Sequence, residues 1–297
     1  MLSKRSGLIA LTALAPALWG TTYLTATALL PPGHPLLTAT LRALPAGLVL
    51  LVLARRLPTG AWWGKAVVLG TLNITVFFFC LFVAAERLPG GIAAVVGGVQ
   101  PLLVAVIAAA VLADRLSPVV VGAGLAGALG VALIVLRADA ALDPVGVVAA
   151  VVGAASMATG TVLTKKWGGG LPPLATTAWQ LVAGGLSLAV LTALLEPLPT
   201  TPITAPTVVG YAYLSLVGTA LAYLVWFRGV ASLPVRVPAF LGLLSPIVAL
   251  ALGAAVAGET LSALQVGGIA LILGSVAVVI LAARGSRPWP RPPRLAS

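Results

Sequence analysis

A block near the middle of this chain returns 145 positions later, and both copies lie in strongly apolar sequence. Leu88-Pro89, Gly97, Pro101, Val111, Asp114, Leu116-Ser117 and Val121-Gly122 come back as Leu233-Pro234, Gly242, Pro246, Val256, Glu259, Leu261-Ser262 and Val266-Gly267. A fixed internal period confines a chain to folds assembled from two copies of one unit. In membranes, such units hold a substrate site between them.

The copies sit in a succession of apolar stretches of about 20 residues, the length a helix needs to cross ~30 Å of hydrocarbon. Ten are legible: 8–30, 36–54, 66–84, 91–113, 118–136, 145–164, 174–195, 207–227, 237–257 and 261–283. With 60% hydrophobic and 8% charged residues, a 297-residue chain cannot cover a water-exposed surface. Period-2 alternation is absent and Ala and Leu dominate, which argues against a β-barrel.

Allowing one loop to change length extends the repeat. At a shift of 138, Pro35-Leu36, Thr38, Gly47 and Leu48 match Pro173-Leu174, Thr176, Gly185 and Leu186, while Arg42 faces Gln180 and Trp19-Gly20-Thr21 falls on Met157-Ala158-Thr159. Five spans per unit is an odd number, so the second unit enters the membrane in the opposite sense. The expected fold is therefore all-α and integral to the membrane, with ten transmembrane helices as two inverted five-helix repeats. Residues 1–138 form the first repeat, 139–144 a linker and 145–284 the second. The Pro- and Arg-rich residues 285–297 form a disordered cytoplasmic tail.

The net charge of +11 is arranged for a membrane and not for nucleic acid. If Lys4 and Arg5 are cytoplasmic, ten spans put Arg55, Arg56, Lys65, Arg115, Lys165, Lys166, Arg228, Arg236, Arg284, Arg287, Arg291 and Arg294 on the same side. Glu86, Asp139, Asp143, Glu196 and Glu259 fall outside. This positive-inside bias predicts a multi-pass protein of the cell (inner) membrane with both termini cytoplasmic. Ala15-Pro16-Ala17 resembles a signal-cleavage site, but the apolar run continues to Leu30 and favours an uncleaved helix. Cys80 is the only cysteine and His34 the only histidine, so neither an intrachain disulfide nor a metal site is expected, and no cofactor is implied.

Several motifs then combine in order along the chain. Trp19-Gly20-Thr21-Thr22-Tyr23, Arg42, Ala84-Ala85-Glu86-Arg87-Leu88-Pro89, Gly97-x-x-Gln100-Pro101 and Gly258-Glu259-Thr260-Leu261-Ser262 resemble an EamA-type transporter of the drug/metabolite transporter superfamily over residues 8–283. The resemblance implies export of small metabolites, often amino acids or their relatives, without selecting the substrate.

The residues themselves offer a pathway. Pro101 and Pro246 each remove a helical bond, to Gly97 and Gly242 respectively, and Gln100 and Ser245 precede them. These four glycines and prolines are candidate hinges, against the plainer reading of kinks fixed by packing. Arg42 lies about 10 Å from the external end of its span. It either attracts the carboxylate of an amino-acid-like substrate or serves the fold by snorkelling outward or binding helix carbonyls. Trp19, Thr22 and Tyr23, Asn73 with Phe77, and Tyr223 with Trp226 offer amphipathic rings and hydroxyl or amide groups for a small solute, although Trp226 also suits an interfacial belt. Gly122, Ala126 and Gly130, echoed by Gly267 and Gly274, form small-residue stripes for close helix packing and leave a monomer or a homodimer open.

No acid or histidine lies deep in a span, so the choice is facilitated diffusion or proton coupling through Glu86 or His34 near the external mouth. No phosphate-binding Gly-x-x-x-x-Gly-Lys-Ser/Thr loop exists, which excludes direct ATP hydrolysis, and the spans supply no catalytic pair for a membrane enzyme. The expected partners are a small-molecule substrate and the lipid bilayer. The rival readings are a flippase for a lipid-linked sugar or other amphiphile, and a non-transporting subunit.

Overall fold

The computed structural model describes residues 2–87, 98–135, 143–197, 199–200, 202–257 and 261–284. Gly97, Glu259, residues 139–142 and the tail 285–297 lie outside them, as do the side chains of Tyr23 and Glu86. All regular elements among the described residues are helical: α1 (Leu2–Gly20), α2 (Thr22–Leu29), α3 (Pro35–Ala54), α4 (Trp62–Gly70), α5 (Phe77–Arg87), α6 (Gln100–Leu112), α7 (Pro118–Val135), α8 (Pro144–Trp167), α9 (Pro173–Leu195), α10 (Ala205–Ser215), α11 (Ala222–Ser232), α12 (Arg236–Leu241), α13 (Leu244–Ala257) and α14 (Ala263–Arg284). Among the described residues, eight helical runs are long and apolar enough to cross a bilayer, and two further apolar helices, Gln100–Leu112 and Pro118–Ile134, are shorter.

Burial follows the logic of lipid as solvent. Leu53, Leu194, Val256 and Leu264 are exposed on the outside, whereas Thr38, Thr40, Arg42, Asn73, Thr177, Gln180 and Thr219 are buried. Helix starts are set locally. Proline occupies the first turn of α3, α8 and α9, where its missing N–H costs nothing. The Asp143 carboxylate accepts from Gly146 N at 2.8 Å, and Ser262 and Gln265 form a reciprocal capping box. The start of α3 is capped from a distance, by Glu196 at the end of α9, whose carboxylate accepts from the amides of Leu36 and Leu37 at 2.7 and 2.9 Å.

The most extensive contact joins α3 and α9, and α7 with α14 makes the next. Between α3 and α9 the backbones nearly touch. A Cβ on Gly47 would lie 2.7 Å from Val182 N, and one on Gly185 would lie 2.8 Å from Leu44 Cα. Leu44 and Val182, like Gly47 and Gly185, are 138 positions apart, so each glycine meets the repeat mate of the other's neighbour. In the α7–α14 pair, Gly130 packs on Gly268 O and Ile272, as close packing requires. Gly122, Gly267 and Gly274 have open space where a Cβ would stand, so the stripes are only partly packing surfaces.

Two helices open into π turns. Thr71–Val76 joins α4 to α5, and Leu216–Leu221 joins α10 to α11. Their ends are 145 positions apart, the offset of the sequence repeat.

Gly47→Val and Gly185→Val each force the α3–α9 contact apart. Each is expected to lower stability by about 1–3 kcal/mol, read by thermal unfolding in detergent, while Gly122→Ala stays within about 0.5 kcal/mol. Equal behaviour of the three variants rules out a close α3–α9 contact.

Candidate substrate site

Three helices bring aromatic rings together. Trp19 of α1 lies 5.2 Å from Tyr223 and 5.1 Å from Trp226, both of α11, and Phe78 of α5 meets Tyr223 edge-on at 6.3 Å. Phe77 adjoins Phe78 at 5.6 Å. Trp226 is 2% exposed and so belongs to the interior rather than to an interfacial belt. Its i, i+3 spacing from Tyr223 puts both rings on the α11 face turned towards α1.

This group contains polar atoms without partners. Trp19 Nε1, Trp226 Nε1 and Thr22 Oγ1 are buried and have no hydrogen bond among the described residues. Buried donors are rarely left so; two of these belong to the rings themselves and the third opens α2 three residues after Trp19, and such donors can receive the acceptors of a small solute. Thr21 next to them is satisfied, bonding Leu18 O and the Tyr213 hydroxyl at 2.7 and 2.9 Å.

Arg42 joins the group from α3. It is 4% exposed and does not snorkel outward. Its Nε donates to Thr219 Oγ1 at 2.8 Å and its Nη2 to Gly218 O at 3.2 Å, both on the second π turn. The guanidinium also stands 5.0 Å from the Phe78 ring centroid, a cation–π distance that links it to Tyr223. A π turn disrupts the i to i−4 ladder, and a guanidinium with five donors suits a carbonyl exposed there.

Asn73 lies elsewhere. It is fully buried on the first π turn, donating to Gln180 Oε1 at 2.7 Å and Thr164 Oγ1 at 3.2 Å, with Gly160 packed on its amide. This network leaves Asn73 Oδ1 buried without a partner among the described residues, and it does not include the aromatic rings. Gln180 is the position that faces Arg42 in the sequence repeat, so both mates bond a π turn of another helix.

The proline positions are helix starts. Pro101 lies in the first turn of α6, where Leu102 N and Leu103 N bond Val99 O at 3.0 and 3.3 Å. Pro246 lies in the first turn of α13, after a break at Gly242-Leu243. The expected free carbonyl at Gly242 is corrected: Gly242 O accepts from Ser245 N at 3.1 Å, because the chain tightens into an i to i+3 turn ahead of the proline. A Cβ on Gly242 would lie 3.7 Å from the Trp226 ring, so this break borders the aromatic group. Ser245 abuts it too, its carbonyl 2.7 Å from a Cβ built on Gly20. Gln100 is half-buried, with no described ring contact or hydrogen bond to the group.

Sequence reading missed Phe78, Thr219 and both π turns. Asn73, Thr75 and Thr219, polar and deep in apolar runs, were the available signal.

Comparison with known proteins agrees with a transporter architecture. The model of the EamA-like transporter family matches residues 6–136 and 144–281. Protein PecM of Dickeya dadantii is 43% identical over 267 residues, covering 89% of this chain and 89% of that protein. The uncharacterized transporter YvbV of Bacillus subtilis is 28% identical over 73% of this chain and 72% of its own length. A chloroplastic WAT1-related protein of Arabidopsis thaliana is 29% identical over 73% of this chain and 54% of its own. One crystal structure of a protein superposes with a TM-score of 0.80 at 24% identity, covering 94% of this chain and 98% of that one, which shows a shared fold.

Arg42→Met orphans the Gly218 carbonyl and the Thr219 hydroxyl and is expected to cost about 1–3 kcal/mol of stability. In a thermal-unfolding cycle with Thr219→Val, the two losses should fall short of additivity by about 0.5 kcal/mol or more. Strict additivity counts against the contact.

Proposed function

Because this chain belongs to the EamA-like transporter family, we propose that it is a secondary transporter exporting small metabolites of the amino-acid class by alternating access. It is a multi-pass membrane protein. In this reading its ten spans form two inverted five-helix repeats, with the substrate held between them and both termini cytoplasmic in the cell inner membrane. Support for the inverted repeat comes from the 145-position offset of the two π turns and from the equivalent use of Arg42 and Gln180.

The observation that carries the reading is the aromatic group with its unpartnered donors. Trp19 Nε1, Trp226 Nε1 and Thr22 Oγ1 are the polar atoms that a substrate would satisfy. The buried charge of Arg42 behind Phe78 supplies positive potential for a carboxylate, and Tyr223 forms the wall between them. The break at Gly242-Leu243 beside Trp226 gives that wall a hinge. Gly97, Pro101 and Pro246 are its companion hinge positions. Phe77 and Ser245 border the rings, and Gln100 and Tyr23 are further candidates for the pathway by their residue type and span alone. Asn73 is assigned to the fold of the first π turn rather than to contact with substrate.

Proteoliposomes of the purified chain are expected to take up labelled amino acids saturably, and Trp19→Ala to reduce the initial rate about tenfold, the effect of losing about 1.4 kcal/mol of ring contact. Flux that ignores an imposed pH gradient assigns facilitated diffusion, and flux that needs one assigns coupling through Glu86 or His34. Absence of saturable flux for every amino acid, from protein folded in the bilayer, overturns the substrate class. Orientation is read separately: in a Cys80→Ala background, Ser297→Cys should react with a membrane-impermeant maleimide only in opened cells. Reaction in intact cells reverses the assignment.

A further inference from the structure

A groove of about 650 Å³ lies between α3 and α10, away from the aromatic group. Leu37, Leu41 and Pro45 form one wall at i, i+4, i+8 spacing, and Val208, Tyr211 and Ser215 are among the residues of the other. Pro31 and Pro199 border its mouth at the loop end. Ile203, Val208 and Leu216 form an exposed apolar lip, so the groove opens sideways, where lipid surrounds the spans. None of its lining residues is ionisable at neutral pH.

Two residues of this lining carry hydroxyls that are buried behind the apolar surface and have no partner among the described residues. Ser215 is 4% exposed, and neither its Oγ nor the buried Tyr211 hydroxyl has a hydrogen bond among the described residues. A third polar group lies on the opposite wall. Pro45 has no N–H, so the carbonyl of Leu41, four residues earlier, loses its intrahelical donor. Buried hydroxyls in an otherwise apolar wall are costly unless something bonds them.

The corresponding place in the other half of the chain is filled. Positions offset by 138 from Leu37 and Leu41 are Ala175 and Trp179, and positions offset by 145 from Thr207 and Tyr211 are Trp62 and Ala66. These four residues pack together in one cluster, with Trp62 and Trp179 in ring contact at 5.6 Å. The equivalent of Ser215 is Gly70, which is buried against Gln180 O and Gly184. One unit therefore closes the space with two tryptophans and a glycine. The other leaves it open and adds two hydroxyls. The comparison rests on the repeat, while the groove and its unpartnered groups stand without it.

We propose that this groove is a second, lateral binding site for an uncharged amphiphile dissolved in the bilayer, an apolar chain with one hydroxyl-type head. The chain lies along Leu37, Leu41 and Val208. Once the Ser215 and Tyr211 side chains turn towards the groove, the head exchanges hydrogen bonds with their hydroxyls, each of which can donate or accept, and with the Leu41 carbonyl. A charged head is disfavoured, because no counter-charge lines the groove to offset its desolvation.

The test uses the full chain in phosphatidylcholine proteoliposomes with two photoreactive probes of equal length, a diazirine-bearing 1-dodecanol and the matching alkane, and maps labelled residues by mass spectrometry. The alcohol should label Leu37, Leu41 and Ala212 more strongly than the lipid-exposed Val190 and Leu194. It should exceed the alkane in the groove by about fivefold, the worth of one net hydrogen bond. Ser215→Ala with Tyr211→Phe should bring the alcohol down to the alkane. Leu41→Trp, which installs the residue that fills the equivalent space, should remove groove labelling while leaving Leu194 unchanged. Ala212→Phe blocks the groove from the other wall and serves if Leu41→Trp fails to fold. Groove labelling no greater than at Leu194 overturns the site, and equal labelling by alcohol and alkane overturns the polar head. No flux is measured, so failure here leaves the transport reading untouched and failure of transport leaves this site untouched.

Discussion

A backbone carbonyl inside hydrocarbon has no water to bond, so a helix that opens into a π turn there must find a donor in another helix. Both π turns of this chain do so. Leu72 O in the first accepts from the Ser156 hydroxyl of α8 at 2.8 Å, and Gly218 O in the second accepts from Arg42 of α3. These bonds decide more than local geometry. They fix α3 against the α10–α11 run and α8 against the α4–α5 run, and so set where Phe78, Tyr223 and Trp226 meet Trp19. Loss of a capping donor is felt at the rings, because the turns and the rings share the same helices.

The two capped turns are alike in path and unlike in chemistry. Gln180 bonds Asn73 in a neutral network, whereas its repeat mate Arg42 carries a full charge up to the aromatic group. Burying that charge costs several kcal/mol unless it is well bonded, as the Thr219 hydroxyl, the Gly218 carbonyl and the Phe78 face indicate. A repeat supplies two equivalent scaffolds, and side-chain inequality between them makes the two halves chemically distinct. The same inequality fills one lateral groove with tryptophan and leaves the other open.

How much of this was legible in sequence depends on whether the information is local. Apolar runs and proline-led helix starts are properties of contiguous residues, and they reappear as Pro35–Ala54, Pro144–Trp167 and Pro173–Leu195. Arg42 was conspicuous because a lone charge in an apolar run has few explanations. Trp19 and Tyr223 were found by their chemistry, but the 5.2 Å between them was not, since nothing in either segment says which helices adjoin. The π turns were hidden for a related reason. Leu216–Leu221 is composed like any apolar helix, and its widening is stabilised by Arg42, far away along the chain. Gly122 and Gly130 share one stripe, yet Gly130 is crowded by Gly268 and Ile272 of α14 while Gly122 has open space, which nothing in either segment foretells.

Under the alternating access proposed above, some contacts would persist while others slide, and the extent of the α3–α9 contact suits it to persist. Gly47 and Gly185 bring the two backbones together, and Leu36 and Leu50 of α3 and Leu181 and Leu188 of α9 are buried in one core cluster around them. Sliding one helix along the other would drive Leu44 and Val182 into the opposing backbone. The ends of the helices are held differently, by single bonds such as Glu196 to the start of α3 and Lys165 Nζ to the carbonyls of Ala231 and Leu233 at 2.8 and 2.9 Å. Such bonds can be exchanged for water at a membrane surface at little net cost. In the proposed alternating-access cycle the glycine crossing is the contact that would persist, the single bonds at Glu196 and Lys165 are those that would exchange, and the break at Gly242-Leu243 would let the wall that carries Trp226 move with them.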